Sequence, residues 1–173
     1  FLGIQGMYEI PFTDNASVEN SLHCLAVCLY LRVSPVLIAK RMAQLEPVAM
    51  RLEVKEGKNG CTLINDSYNS DIASLDIALD FMARRPEREG RERVLILSDL
   101  QQTGQEHHAL YKMLAGLITT RGIERIIGIG KDLSAAESYF NIKKSFYLTT
   151  EEFLQSDELN SLHRSFILVK GSR

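Results

Sequence analysis

A group of polar residues follows a short apolar stretch near residue 64. In INDSYNSD, residues 64–71, carboxylate, hydroxyl, phenol and amide groups come directly after the apolar run in GCTLIND. An apolar run that ends in such groups is typical of a buried strand that delivers side chains to a ligand site. The stretch contains no obvious nucleophile. It therefore predicts a site that positions ligands, not one that attacks them.

Other apolar runs end in the same way. VLILSD, RIIGIG and FILVKG are nearly continuous apolar segments that close with small or polar residues, at Ser98-Asp99, Gly128-Ile129-Gly130 and Lys170-Gly171-Ser172. Strands covered on both faces have this composition, and ligands of parallel sheets bind at the carboxyl ends of the strands. We expect these polar ends to gather along one edge of a sheet.

The pattern after residue 50 alternates between strands and helices. Strands are predicted near 51–56, 61–66, 93–98, 124–129, 144–148 and 165–169. Helices are predicted near 72–84, 105–121, 133–140 and 150–164, the last one broken or continuous. This order predicts an α/β fold with a Rossmann-like, doubly wound, mostly parallel six-stranded sheet.

Two consecutive helices precede this pattern. The first is predicted at 17–32 with Ser17 as its N-cap, and the second at 34–45, where Ser34 caps and Pro35 takes the first helical position. Pro47 disfavours helix at the residue before it, so EPVAM is the expected linker. We predict two domains, residues 1–49 and 50–173.

Composition and charge exclude several classes of protein. With 173 residues and 45% hydrophobic content the chain can bury a core, and a net charge of −2 gives no basic face for nucleic acid. No apolar run approaches the roughly 18 residues of a membrane span, and FLGIQGMYEIPF does not resemble a signal peptide. Three cysteines without disulfide spacing fit a reducing compartment, so we expect a soluble, cytoplasmic protein.

Common catalytic and metal motifs are absent from the sequence. Cys24 and Cys28 lie in an apolar helix without a fourth ligand nearby, which favours buried thiols over zinc. GIGKDL lacks the third glycine of a dinucleotide fingerprint, and Arg125 stands where a phosphate loop needs glycine. There is no G-x-S-x-G motif, and His107-His108 are expected to be exposed.

Four segments together resemble the Mur ligase family, and the MurF type in particular. RLEVKEGKNGCTLINDSYNSDIASLDIAL is similar to the R-L-E…D-D-S-Y-N-A-N-P segment that opens the C-terminal domain of these ligases. LILSDLQQTGQEHHALY resembles their LGDM-x-ELG segment, ILVKGSR their L-V-K-G-S-R strand end, and DNASVENSLHCLAV the helix that ends the central ATPase domain. The resemblance covers nearly the whole chain.

The resemblance implies an ATP- and Mg²⁺-dependent ligase of cytoplasmic peptidoglycan precursor synthesis. Such enzymes phosphorylate the carboxylate of UDP-N-acetylmuramoyl-tripeptide to an acyl phosphate, which the amine of D-Ala-D-Ala then attacks. The phosphate loop, the magnesium ligands and the domain that binds the UDP-sugar are expected outside these residues, so the piece alone should be inactive. A fused alanine racemase domain is a further expectation, and EPVAM is the expected hinge for domain closure.

The resemblance also assigns residues. It implies that Asn20 contacts adenine, Arg51 the ATP phosphates and Asp66 the ribose hydroxyls, with Asn69 also facing the nucleotide. Substrate-binding positions are Ser70, Asp99, Lys170 and Ser172. It assigns no catalytic residue and no metal ligand here.

Each assignment has a plain structural alternative. Asn20 could complete a capping box with Ser17, Arg51 could be an ordinary surface residue, and Asp66 could cap the next helix. Asp99 could be a satisfied loop carboxylate, while Lys170 and Ser172 could belong to a solvated C-terminus. The joint spacing of the motifs favours function over these alternatives.

The sequence departs from the family pattern at a few positions. Ala16-Ser17 replace H-N before the adenine asparagine, Asp71-Ile72 replace N-P after S-Y-N-A, and Gln102-Thr103 replace E-L of the E-L-G segment. The alternatives to a MurF-type ligase are another Mur ligase, a folylpolyglutamate synthase-like ligase, or a non-catalytic nucleotide-binding module.

Overall fold

The computed structural model describes residues 6–13, 15–46, 51–86, 90–100 and 107–171. The chain divides into two compact units, Phe1–Pro47 and Val48–Arg173. The division falls within the EPVAM segment. Residues 47–50 of that segment lie outside the described ranges, as do Gln102 and Thr103.

The first unit contains two helices. Helix α1 spans Asn15–Tyr30 and helix α2 spans Pro35–Met42. Because α1 begins before Ser17, this residue lies in its first turn, and the prediction that Ser17 is the N-cap is wrong. Ser34 is the N-cap of α2 and Pro35 occupies the first turn, although the Ser34 side chain makes no capping hydrogen bond.

The cysteines of α1 do not behave as core residues. Cys24 is exposed and Cys28 is half-buried, so the expectation of buried thiols is wrong for this pair. Within the described ranges, no three His, Cys, Asp or Glu side chains are grouped so that they could hold a metal ion.

The second unit is an α/β domain. Its strands are β1 Glu53–Glu56, β2 Thr62–Asp66, β3 Glu92–Ser98, β4 Arg125–Ile129, β5 Lys143–Tyr147 and β6 Ser165–Lys170. Its helices are α3 Ile72–Arg84, α4 His107–Thr120, α5 Lys131–Ala135 and α6 Thr150–Gln155, with single 3₁₀ turns at Lys58–Gly60, Glu137–Tyr139 and Leu159–Ser161. The predicted helices at 133–140 and 150–164 are therefore each an α-helix followed by a 3₁₀ turn.

The six strands form one sheet in the order β1-β2-β6-β3-β4-β5. β1 pairs antiparallel with β2, and every other pairing in the sheet is parallel. The prediction of a mostly parallel six-stranded sheet is confirmed. The last strand of the chain lies between β2 and β3, which brings distant segments of the sequence together.

Helices cover both faces of the sheet. On one face, Ile64, Leu97 and Leu168 pack with buried residues of α3, α4 and α5. On the other face, Val94, Ile127 and Ile167 pack with Phe153 of α6 and with Leu162. Successive side chains along each strand enter two different apolar clusters, which explains why the strand sequences are nearly continuous apolar runs. Their carboxyl ends carry the polar residues Asp66, Ser98 and Lys170.

Candidate functional site at the carboxyl edge of the sheet

Asp66 and Lys170 form a buried ion pair at the ends of β2 and β6. The two residues are register partners in this parallel pairing. The Lys170 ammonium donates to Asp66 Oδ2 at 2.6 Å, and the side chains are 1% and 12% exposed, respectively. Lys170 is therefore part of the packed sheet, not of a solvated C-terminus. Ser172 lies outside the described residues.

The second oxygen of the Asp66 carboxylate ties the start of β1 to the end of β2. Asp66 Oδ1 accepts a hydrogen bond from the backbone N–H of Leu52 at 3.3 Å. Leu52 has a φ of 51°, a left-handed conformation that is unusual for a branched side chain. An ionised carboxylate offers about four acceptor positions, so Asp66 can still accept from a ligand hydroxyl.

The loop after β2 closes on the N-terminus of α3. Asp71 is the N-cap of this helix, because its Oδ1 accepts from the backbone N–H of Ser74 at 2.8 Å. The Ser74 hydroxyl accepts in return from the Asp71 N–H at 3.4 Å, which completes a capping box. Asn69 Nδ2 donates to Asp71 Oδ2 at 2.7 Å. The N-cap of α3 is therefore Asp71, and the alternative that Asp66 caps this helix is wrong.

Several influences act on the Asp71 carboxyl. Burial raises its pKa, but the hydrogen bonds from Ser74 and the nearby charge of Lys170 lower it by more, so the net pKa lies below 3.8. Asp71 is therefore ionised at neutral pH. The charge that replaces the family's Asn-Pro at this turn is stabilised by the helix cap and by Lys170.

Two serine hydroxyls at this edge are buried without a partner. Ser70 and Ser98 both have a hydroxyl oxygen that is enclosed and makes no hydrogen bond to any described residue. Ser98 lies beside Gly171, where an added Cβ would stand 3.3 Å from Ser98 Oγ and 3.9 Å from Ser67 Cβ. The ends of β2, β3 and β6 thus converge on small residues.

Arg51 projects at the surface beside the loop. Its guanidinium lies over the Tyr68 ring, 4.5 Å from the centroid, and both residues are exposed. In the part of the chain that the structure describes, no carboxylate lies within ion-pair distance of Arg51. A guanidinium held by an aromatic ring and free of a carboxylate partner is suited to bind an anion such as phosphate.

Asp99 has a structural role in this fold. Its carboxylate accepts from the backbone N–H groups of Asp132 at 3.3 Å and Leu133 at 2.9 Å, at the start of α5. Gly130 has a φ of 135°, and an added Cβ there would lie 2.2 Å from Asp99 Cγ. This geometry matches the alternative of a satisfied carboxylate. The GIGKDL segment is a strand-to-helix turn, as predicted.

The site residues thus fall into three groups. Asp66 and Lys170 come together at one strand end. The loop after β2 carries the buried Ser70 and the exposed Asn69, with Arg51 over its Tyr68 ring, whereas Asp99 caps α5. Asn20 is exposed on α1 of the first unit. The sequence predicts Tyr68 and Ser98 only as polar groups at strand ends and gives them no role. It missed the capping role of Asp71, which had a signal in the serine three residues after the aspartate.

Comparisons with known proteins match nearly the whole chain to curated ligases of one name. The UDP-N-acetylmuramoyl-tripeptide--D-alanyl-D-alanine ligase of Bacillus subtilis is 27% identical over 176 residues, which cover 99% of this chain and 38% of that protein. The ligase of the same name from Escherichia coli is 26% identical over 165 residues, covering 95% and 36% of the two chains. No family model matches the chain.

Solved structures give the same result. The corresponding ligase of Acinetobacter baumannii superposes with a TM-score of 0.72 at 27% identity, over 97% of this chain and 36% of that one. The MurF ligase of Thermotoga maritima, solved in complex with ADP, superposes with a TM-score of 0.70 at 17% identity and supports the fold alone. These matches confirm the predicted resemblance to the C-terminal portion of MurF-type ligases.

The chain spans little more than a third of the length of the curated relatives it matches. No helix within the described ranges has the length and apolar character needed to cross a membrane.

Proposed function

We propose that this chain is the C-terminal portion of a MurF-type ligase that joins D-Ala-D-Ala to UDP-N-acetylmuramoyl-tripeptide in the cytoplasm. The observation that supports this most is the ion pair between Asp66 and Lys170, which brings the DSYN and VKGSR motifs together at neighbouring strand ends. The motifs are 104 residues apart in sequence, so their meeting is a property of the fold. The chain aligns along nearly its full length with ligases that are named for this reaction.

The end of β2 and the surface beside it fit a nucleotide. We assign Asp66 to the ribose hydroxyls, since its carboxylate keeps acceptor positions beyond the contacts with Lys170 and Leu52. We assign Arg51 to the phosphates, because its guanidinium offers a donor fork beside the loop. Asn69 belongs to the same loop and is also assigned to the nucleotide. Asn20, in the first unit, is the proposed adenine contact.

The reaction itself is phosphoryl transfer followed by amide formation. ATP supplies the γ-phosphoryl group that activates the tripeptide carboxylate, ADP leaves, and the dipeptide amine then displaces phosphate to form the amide bond. Bound magnesium would neutralise phosphate charge. Because no metal-binding cluster lies among the described residues, we assign this chain no step through magnesium. Its own side chains bind and orient the nucleotide.

We further propose that the enclosed end of the site borders the incoming dipeptide. The hydroxyl of Ser70 is buried without a partner in the described structure, so a ligand group could satisfy it. Ser172 remains a proposed substrate contact on sequence grounds. Asp99 is the weakest of these assignments, since α5 already uses its carboxylate. A fused racemase domain stays a prediction.

The decisive experiment is ADP release by the protein from the complete reading frame. UDP-N-acetylmuramoyl-tripeptide and ATP are combined with D-Ala-D-Ala, D-Glu or L-Glu in separate reactions. We expect release that requires D-Ala-D-Ala and falls by one to two orders of magnitude in kcat/KM for ATP in Asp66→Ala, the loss expected for a hydrogen bond to a charged group. Because this variant leaves the Lys170 ammonium buried without its counter-charge, a thermal melt first establishes that it is folded.

The matched control is Asp157→Ala. Asp157 is an exposed aspartate after α6, and its side chain makes no hydrogen bond or ion pair among the described residues, so this variant should retain wild-type activity. Release without any dependence on D-Ala-D-Ala would contradict the assigned reaction. Nucleotide binding without release in any reaction would favour a binding module.

A further inference from the structure

The environment of Lys170 decides what its ammonium can contact. The side chain is 1% exposed, and its ammonium is 2.6 Å from Asp66 Oδ2. The enclosed side chain offers no exposed surface to an incoming substrate, so an ammonium that reached out to a substrate carboxylate would have to leave this position. Asp66 would then be buried without its counter-charge, which is strongly unfavourable. The geometry therefore opposes a direct contact between Lys170 and substrate.

The backbone on both sides keeps Lys170 in place. The residue is a register partner of Asp66 on β2 and of Leu97 on β3, because β6 lies between those strands. Gly171 follows at once and packs against Ser98 and Ser67. The ammonium is thus presented to Asp66 by a strand that is paired on both sides.

We propose that Lys170 is a positioning residue for the nucleotide: it holds the Asp66 carboxylate in the orientation that binds the ribose, and it does not contact the incoming dipeptide. This inference rests on the proposed function for the identity of the nucleotide site. It differs from the assignment that the sequence favoured, in which Lys170 binds substrate. It also gives the lysine of VKGSR a role that depends on the aspartate of DSYN.

The proposal predicts a specific dependence between two substitutions. If Lys170 acts only through Asp66, then Lys170→Met should weaken nucleotide binding in the wild type and have little further effect once Asp66 is asparagine. Substitutions of contacting residues that act as one unit are non-additive in this way. Two independent ligand contacts would instead give losses that multiply.

The test uses the full-length protein and two measurements. ADP binding is measured by calorimetry for the wild type, Lys170→Met, Asp66→Asn and the double variant, and KM values for ATP and D-Ala-D-Ala are measured by ADP release. We expect Lys170→Met to raise the Kd for ADP about tenfold, the scale of one charge-assisted hydrogen bond. We expect the KM for D-Ala-D-Ala to change by less than about twofold, because in this proposal Lys170 makes no contact with that substrate.

In the Asp66→Asn background, Lys170→Met should raise the Kd by less than about twofold, which is the non-additive result. Lys170→Arg, which keeps the charge, should recover part of the affinity. If a thermal melt shows that Lys170→Met alone does not fold, Lys170→Arg decides, because it keeps a charge opposite Asp66: it should weaken ADP binding and leave the KM for D-Ala-D-Ala within about twofold of the wild type.

Three results would overturn the inference: a selective rise in KM for D-Ala-D-Ala with unchanged ADP affinity, multiplicative losses in the double variant, or folded Lys170→Met with wild-type ADP binding. A failure of the proposed function is distinguishable, because it would be visible in the wild type as an absence of D-Ala-D-Ala-dependent release. The calorimetric comparison does not depend on turnover.

Discussion

The Arg51 guanidinium lies 4.5 Å from the centroid of the Tyr68 ring, at the surface of the loop that follows β2. Arg51 precedes β1 and Tyr68 follows β2, and the antiparallel pairing of these strands brings the two side chains together. A cation over an aromatic face gains about 0.5–1 kcal/mol at exposed sites. Tyr68 therefore limits the conformations of a side chain that we assign to the phosphates.

This contact predicts that Tyr68 contributes to ATP binding without contacting the reacting groups. Tyr68→Ala should raise the KM for ATP by about two- to fivefold, the factor that corresponds to losing 0.5–1 kcal/mol of preorganisation. Tyr68→Phe retains the ring and should stay near wild type. Steady-state kinetics of ADP release provide the measurement. Equal effects of the two substitutions would contradict a role for the ring face and would point to the hydroxyl.

Arg51 itself should be sensitive to the geometry of its donors. Arg51→Ala should raise the KM for ATP about tenfold or more, since a hydrogen bond to a charged group contributes about 1.5–3 kcal/mol. Arg51→Lys keeps the charge but loses the planar fork, so it should recover only part of the affinity. Arg84→Ala, at the end of α3 and paired with Asp80, serves as the control of equal size. Full recovery in Arg51→Lys would contradict bidentate binding.

The strand pattern was readable from the sequence for a clear physical reason. Parallel strands covered on both faces need continuous apolar residues, and the polar side chains that end them mark the ligand edge. The predicted strands agree with the observed ones to within about two residues at each end, the usual uncertainty of element boundaries. Helix α1 was placed two residues too late because Ser17 was taken as its N-cap, whereas the helix begins at Asn15.

The contacts within the site could not be predicted in the same way. The pairing of Asp66 with Lys170 requires β6 to lie beside β2, and the fit of Asp99 against Gly130 requires β4 to lie beside β3. Strand order is not encoded in the hydrophobic pattern of any single strand. The capping role of Asp71 has a local signal, because Ser74, whose N–H it accepts from, lies only three residues further along the chain.

The Asp71 cap predicts a loss of stability on substitution. Asp71→Ala removes the acceptor for the Ser74 N–H and should lower the free energy of unfolding by about 1 kcal/mol, the usual value of an N-cap. Asp71→Asn keeps an acceptor and should cost less. Urea denaturation provides the measurement, with Asp157→Ala as the control, because the Asp157 side chain makes no capping hydrogen bond among the described residues. A loss in Asp71→Asn as large as that in Asp71→Ala would show that charge, not capping, is what matters.

The charge of Asp71 makes a separate, pH-dependent prediction. Its folded-state pKa is lowered below the ordinary value of 3.8, so ionised Asp71 stabilises the fold. This contribution is fully present above the unfolded pKa and is lost as the pH falls through the lower folded pKa. The stability difference between wild type and Asp71→Asn should therefore be constant from neutral pH to about pH 5 and shrink below 3.8. Denaturation curves at several pH values measure it, and a difference that grows on acidification would contradict the sign.

Gly130, in the turn after β4, should not tolerate a side chain. Its φ of 135° and the Asp99 carboxylate 2.2 Å from an added Cβ both oppose a side chain. Gly130→Ala should cost about 2 kcal/mol or more, through backbone strain of about 1–3 kcal/mol and displacement of the carboxylate that caps α5. Gly116→Ala is the matched control, because Gly116 lies within α4 with open space around it, and alanine there should stabilise by up to about 1 kcal/mol. Thermal denaturation of the two variants provides the measurement. If Gly130→Ala is as stable as Gly116→Ala, the close packing between Asp99 and this turn does not exclude a side chain at residue 130. The carboxylate that caps α5 would then be able to move without loss of stability.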